Sequence, residues 1–179
     1  MSETSYLETY RERIRYEELL LYWLDRINQA LQFNETDNIN TYTMGVERAV
    51  RSVRAFYSLL PRTLREEIDR QLGKPVYEYL NILQHPTINP TSGKFYLYGI
   101  YPRDLANDFE KDLKKCRNEA ADRIDLYHCA MEIFRKYSMI ILKRLEETLN
   151  TMIDVLHDHG LLFREEFQYE GIESESNTQ

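Results

Sequence analysis

Residues 103–159 read RDLANDFEKDLKKCRNEAADRIDLYHCAMEIFRKYSMIILKRLEETLNTMIDVLHDH; they contain neither glycine nor proline, and Gly160 follows. Within them Leu105, Phe109, Leu113, Cys116, Ala120, Ile124, Tyr127, Met131, Phe134, Ile141, Leu145, Leu149, Met152 and Leu156 recur in steps of three and four, with one weak step at Ser138. A mean step of about 3.6 residues keeps an apolar stripe on one side of a straight α-helix. Asp104 can cap its start, and Gly160 supplies a left-handed stop. Unbroken, the helix would be about 85 Å long, whereas a compact chain of this size has a radius of gyration of about 16 Å. Either the helix breaks, with Tyr137–Ser138 the expected place, or it projects and buries its stripe against a partner. The continuous phase favours one long helix.

Upstream, the punctuation also belongs to helices. Ser5 and Glu8 are spaced as a capping box at the head of a helix expected over Ser5–Phe33, whose middle, Leu19 to Leu24, is apolar nearly all round. Asn34 to Thr41 is polar and reads as a loop. A second helix follows over about Thr43–Leu60, with Val46, Val50, Val53 and Tyr57 on one face. Pro61 suits the first turn of a third helix ending at Gly73, and Pro75 opens a short fourth ending near His85–Pro86. Thr87 to Pro102 is the least helical stretch, an ordered loop or, less favoured, a two-stranded hairpin. Glu165 to Gln179 holds five glutamates and no basic residue, which predicts a disordered acidic tail after a single helical domain over 1–164.

Composition agrees. Of the 179 residues 42% are hydrophobic and 30% charged, and only six glycines and five prolines interrupt them, too few turn residues for an all-β chain. The expected fold class is all-α: a bundle of four to six helices with an unusually long C-terminal helix and a small irregular or hairpin insertion around 87–102. No apolar run approaches the roughly 20 residues of a membrane-spanning helix, and the N-terminus lacks the pattern of a signal peptide. Cys116 and Cys129 fall in one predicted helix, about 20 Å apart along its axis, too far to be bonded. They are expected to be buried thiols in a reducing compartment, which predicts a cytoplasmic chain.

Candidate functional residues are few. The net charge of −7 argues against a surface that wraps nucleic acid, yet Arg48, Arg51 and Arg54 step by three along the second helix, and Arg62, Arg65 and Arg70 follow. Such a stripe fits the phosphates of a nucleic acid or an acidic protein surface. Fourteen tyrosines are many for this length, and Phe95, Tyr96, Tyr98 and Tyr101 crowd one loop, where aromatic rings either anchor an interface or pack the loop on its own bundle. His157 and His159 point about 200° apart on a helix and cannot share one ion, so no metal site is expected. Phosphate-binding glycine loops, nucleophile elbows and paired catalytic carboxylates are missing from the sequence, and with them any expected cofactor or small-molecule substrate.

One spacing resembles a catalytic signature. Arg123-Ile124-Asp125-Leu126-Tyr127-His128 is similar to the Arg-x4–6-His motif of HEPN-type ribonucleases, with Ile124 where that family commonly has a polar residue. The resemblance implies an all-helical, usually dimeric enzyme cleaving RNA without a metal, Arg123 contacting phosphate and His128 acting as general acid or base. The reading favoured here is a non-enzymatic protein–protein interaction or assembly subunit, self-associating as a homo-oligomer or part of a larger complex. Nucleic-acid association through Arg48, Arg51 and Arg54, and the ribonuclease reading, stand as alternatives.

Overall fold

A computed structural model of the chain describes residues 39–91 and 95–161, with the isolated helical positions Glu18 and Tyr22; side chains at 87–96 lie outside that description. The expected Ser5–Phe33 helix, its capping box and the acidic 165–179 segment lie outside the described residues. Within them the fold is all-α with a small hairpin. In chain order come α1 (Ile39–Leu59), α2 (Arg62–Leu72), α3 (Val76–Tyr79), strands β1 (Ile82–Thr91) and β2 (Phe95–Pro102), a 3-10 turn (Arg103–Leu105), α4 (Ala106–Glu119) and α5 (Arg123–Asp158).

The long helix is present, shortened from the expected one. It is α5, about 54 Å at helical rise, and α1, α2, α4 and both strands pack around it. Residues 103–159 are two helices, and the break falls at Ala120–Asp122, not at Tyr137–Ser138. Asp122 caps the new start by accepting a hydrogen bond from the Asp125 amide, 2.8 Å. Ile124, counted in the stripe, is 63% exposed at this elbow, whereas Ser138, the weak step, is buried with its hydroxyl 3.4 Å from that of Thr43 on α1.

The elbow also overturns the reading of the cysteines. With α4 folded back along α5, the Cα atoms of Cys116 and Cys129 are 5.8 Å apart and their sulfurs are bonded. Free thiols are expected only of one continuous helix, which would hold the two residues about 20 Å apart; the elbow removes that separation.

Sequence punctuation decides most other ends. Pro61 precedes α2, and Gly73 at φ 81° ends it by donating to the Asp69 and Arg70 carbonyls. Gly160 at φ 68° closes α5, its amide bonded to the His157 carbonyl and that of Leu161 to Leu156. Three expectations shift. Asn40 and Thr41 belong to α1, α3 is a single turn, and Ile82–His85 is strand. The less favoured hairpin is the one that forms. Its antiparallel register pairs His85 with Gly99, Ile88 with Leu97 and Thr91 with Phe95, so β1 carries one extra residue in each of the last two intervals. Pro86 and Pro90 sit in those intervals, and bulges are where a strand tolerates proline.

The core is continuous. Tyr42, Val46, Val50, Val53 and Phe56 of α1 and Leu64 and Ile68 of α2 meet Phe134, Ile141, Leu145, Leu149, Met152 and Leu156 of α5. Leu97 and Ile100 of β2 and Phe109 and Leu113 of α4 complete it. Among the described residues no helix is long and apolar enough to cross a membrane.

Candidate functional site

Of the arginines of α1 and α2, Arg48, Arg51, Arg62 and Arg70 are exposed, Arg54 is half-buried and Arg65 has its Nε buried, and most of the exposed ones are internally paired. Arg48 and Arg51 are exposed, and Arg51 is ion-paired with Glu47 one turn earlier. Arg54 lies over the Tyr77 ring, 5.5 Å to the centroid. On α2, Arg62 pairs with Glu66 at 2.8 Å and Arg70 with Glu67, which holds the Glu67 carboxyl below its usual range. Surface pairs of this kind contribute little stability, but they lower the charge these arginines can offer to phosphates.

The corner where α1 turns into α2 and α3 had no signal in periodicity. Leu59 is 56% and Tyr77 39% exposed there. Tyr77 is held from three sides: its ring edge against Tyr57 at 5.0 Å, its hydroxyl 2.7 Å from that of Ser58, and Arg54 above it. Tyr57 beneath donates to both carboxylate oxygens of Asp69 at 2.8 Å, and burial followed by that bond raises its pKa. Asp69 in turn accepts from the Val76 amide, 3.1 Å, tying α3 to α2.

The hairpin aromatics turn out to serve the bundle where their side chains are described. Tyr98 donates to Glu47 Oε2 at 2.6 Å, and its amide donates to Asn40 Oδ1 at 2.8 Å. Glu47, only 8% exposed, also accepts from Gln84 Nε2 at 2.7 Å and from Arg51. Burial first, then the hydrogen bond to Glu47, raises the Tyr98 pKa. Tyr101 stacks on Phe109 with centroids 4.2 Å apart. Phe95 and Tyr96 stand at the start of β2, Phe95 paired with Thr91, with side chains outside the description. The Glu47 cluster escaped sequence reading because a glutamate between Val46 and Arg48 looks like any surface charge until the hairpin closes over it.

Arg123 and His128 are both exposed in the first two turns of α5. Five helical residues separate them by about 140° around the axis, so they face different directions, and His128 meets the edge of Tyr127 at 5.8 Å. The Cys116–Cys129 bond, which the sequence reading excluded, borders an open cleft of about 380 Å³ between α4 and α5, lined by both cysteines, Lys115, Glu119, Glu132 and Lys136 among others. Among the described residues no group of three or more His, Cys, Asp and Glu side chains is placed to hold a metal ion.

Compared with family models, with curated proteins and with solved structures, the chain matches none.

Proposed function

We propose that the chain is a non-enzymatic interaction subunit that self-associates through the α1–α2–α3 corner, with Leu59 and Tyr77 at the centre and Arg48, Arg51, Arg54 and Arg62 around them. The observation that carries this reading is the fixed, exposed Tyr77 at a corner that also exposes Leu59. Tyrosine and arginine are enriched in interface centres, and a ring already immobilised loses little rotamer freedom on binding. The excess of apolar stripe no longer argues for a partner, because the chain covers it: Leu145 and Leu149 are fully buried. A second copy that meets this corner with its own acidic surface, not with the same arginines, is the occupant favoured by charge, since the chain is acidic overall at −7 and the corner is arginine-rich. The internal Glu47–Arg51 and Glu66–Arg62 pairs favour a protein surface over a nucleic-acid backbone. A cytoplasmic setting rests on free thiols and loses that support with Cys116 and Cys129 bonded; in such a setting the bond would meet thiol reductants.

The test is solution mass by light scattering at micromolar concentration, for the natural chain and for Leu59→Glu. A dimer or larger species that becomes a folded monomer in the variant supports the reading. A monomeric natural chain, or an oligomer indifferent to the variant, overturns it.

A further inference from the structure

The two cysteines are unequal. Cys116 is 2% exposed on the inner side of α4, while Cys129 on α5 is partly exposed, and both border the open cleft. Lys115 and Lys136 stand at the same cleft with Asp112, Glu119 and Glu132, so its wall carries both charges. Lys136 is 3.2 Å from Asp112, whose carboxylate also accepts from Tyr137 at 2.8 Å. Thiol–disulfide exchange is governed by which sulfur a thiolate can reach and by how well the departing thiolate is stabilised. Here access singles out Cys129 as the sulfur to be attacked, with Cys116 as the one that departs. A tripeptide-sized molecule fits a cleft of this volume, and walls of both signs suit one bearing both an ammonium group and carboxylates.

We propose that the α4–α5 cleft is a thiol–disulfide exchange site, at which a small zwitterionic thiol attacks Cys129. The attacking thiolate forms a new bond to Cys129 Sγ as the Cys116–Cys129 bond breaks. The released electron pair stays on Cys116 Sγ, which takes a proton from solvent. A second molecule of the same thiol then attacks the sulfur of the first, leaving as a small-molecule disulfide and releasing the Cys129 thiolate. Two thiols are oxidised and the protein disulfide is reduced to two thiols. Phe109 and Leu113, buried in the core, keep most of α4 in place. Exchange therefore frees the elbow, 117–128, where Ile124, Arg123 and His128 are exposed. The site stands independently of the self-association reading.

The test uses glutathione on the natural, disulfide-bonded chain under native conditions, quenched with acid and mapped by peptide mass spectrometry. The mixed disulfide is expected on Cys129. In parallel, Cys116→Ser leaves Cys129 as the lone thiol and Cys129→Ser leaves Cys116. Against an aromatic disulfide reagent, the first variant should react at least about tenfold faster than the second, as access dictates. Glutathione found on Cys116, equal reactivity of the two variants, or a bond that yields only once the chain is unfolded would each overturn the proposal. The mapping on the natural chain decides the matter even if a cysteine variant fails to fold.

Discussion

Gly99 brings the hairpin close against Phe134 of the long helix, and replacing it with alanine measures that fit. A Cβ there would lie 2.8 Å from Cδ1 and Cε1 of Phe134 and 3.0 Å from its Cγ. Carbon atoms in contact prefer about 3.5–4.0 Å, so the ring or the strand must give by roughly an ångström. The ring has little room. Phe134 is fully buried, stacked at 5.9 Å with Phe109 on one side and facing His85 at 5.6 Å. His85 is Gly99's own partner across the hairpin, so lifting β2 carries that contact away as well.

Overpacking of this kind costs about 1–3 kcal/mol. Against it stands the gain of about 0.4–1 kcal/mol from removing a glycine from the unfolded chain, which applies where the native backbone suits alanine. With mid-range values, about 2 less about 0.7, Gly99→Ala should destabilise by about 1–2 kcal/mol, a fall of roughly 2–8 °C in melting temperature for a chain of this size. Thermal melts and urea titrations followed by circular dichroism read this directly. Phe134→Leu makes the decisive control. It is destabilising alone, but it gives the new methyl room, so the double variant should be less destabilised than the sum of the singles by at least about 0.5 kcal/mol. A neutral or stabilising Gly99→Ala, or strictly additive variants, would refute the idea that this approach selects glycine.

Two further expectations follow from the polar contacts. Tyr98→Phe removes the donor to Glu47, a buried carboxylate, and should cost about 1.5–3 kcal/mol in urea unfolding, as hydrogen bonds to charged groups do; an unchanged midpoint would mean that Tyr98 does not anchor the hairpin. Asp104 and Asp112 are held below the ordinary carboxylate range, Asp104 by its bonds from Arg144 and Asp112 chiefly by its bond from Tyr137. A lowered folded pKa gives stability that is complete above the unfolded value of about 3.9 and is lost as pH falls through the folded one. Melting temperature should thus drop below about pH 4, and less steeply in an Asp104→Asn, Asp112→Asn double variant; an identical acid profile in that variant would remove the two groups from the account.

What was legible in the chain was local. Pro61, Gly73 and Gly160 set helix ends because each acts through its own backbone, and the α1 stripe was read correctly because period alone defines it. The Glu47 cluster needs α1 and both strands to meet, so nothing near Glu47 announces it. The hairpin was placed second because Ile82–His85 continues plausibly from a helix, and its prolines read as loop residues when they mark bulges. Tyr98 and Tyr101 lay on the right element, but only the fold turns them inward. Tyr77 is unremarkable in sequence, and it is fixed only because α3 brings it against Tyr57, Ser58 and Arg54 at the end of α1.

The elbow shows why an unbroken apolar phase was a poor witness. A stripe records which residues want burial, not whether the backbone between them is continuous. Ala120, Ala121, Asp122 and Arg123 make almost no apolar demand, so a turn there leaves the count of steps intact. The energies favour the turn. Folding back buries Phe109 and Leu113 against α5, at about 1.5–3 kcal/mol each, and brings Cys116 to Cys129. The new helix ends leave unpaired backbone groups, but residues 121–125 are exposed, so water satisfies them and Asp122 accepts from one. A signal was present in Asp122 and Asp125, spaced as a cap with an acidic residue three positions on. It loses to the longer pattern because no glycine or proline ends a helix ahead of it, and two alanines continue one readily.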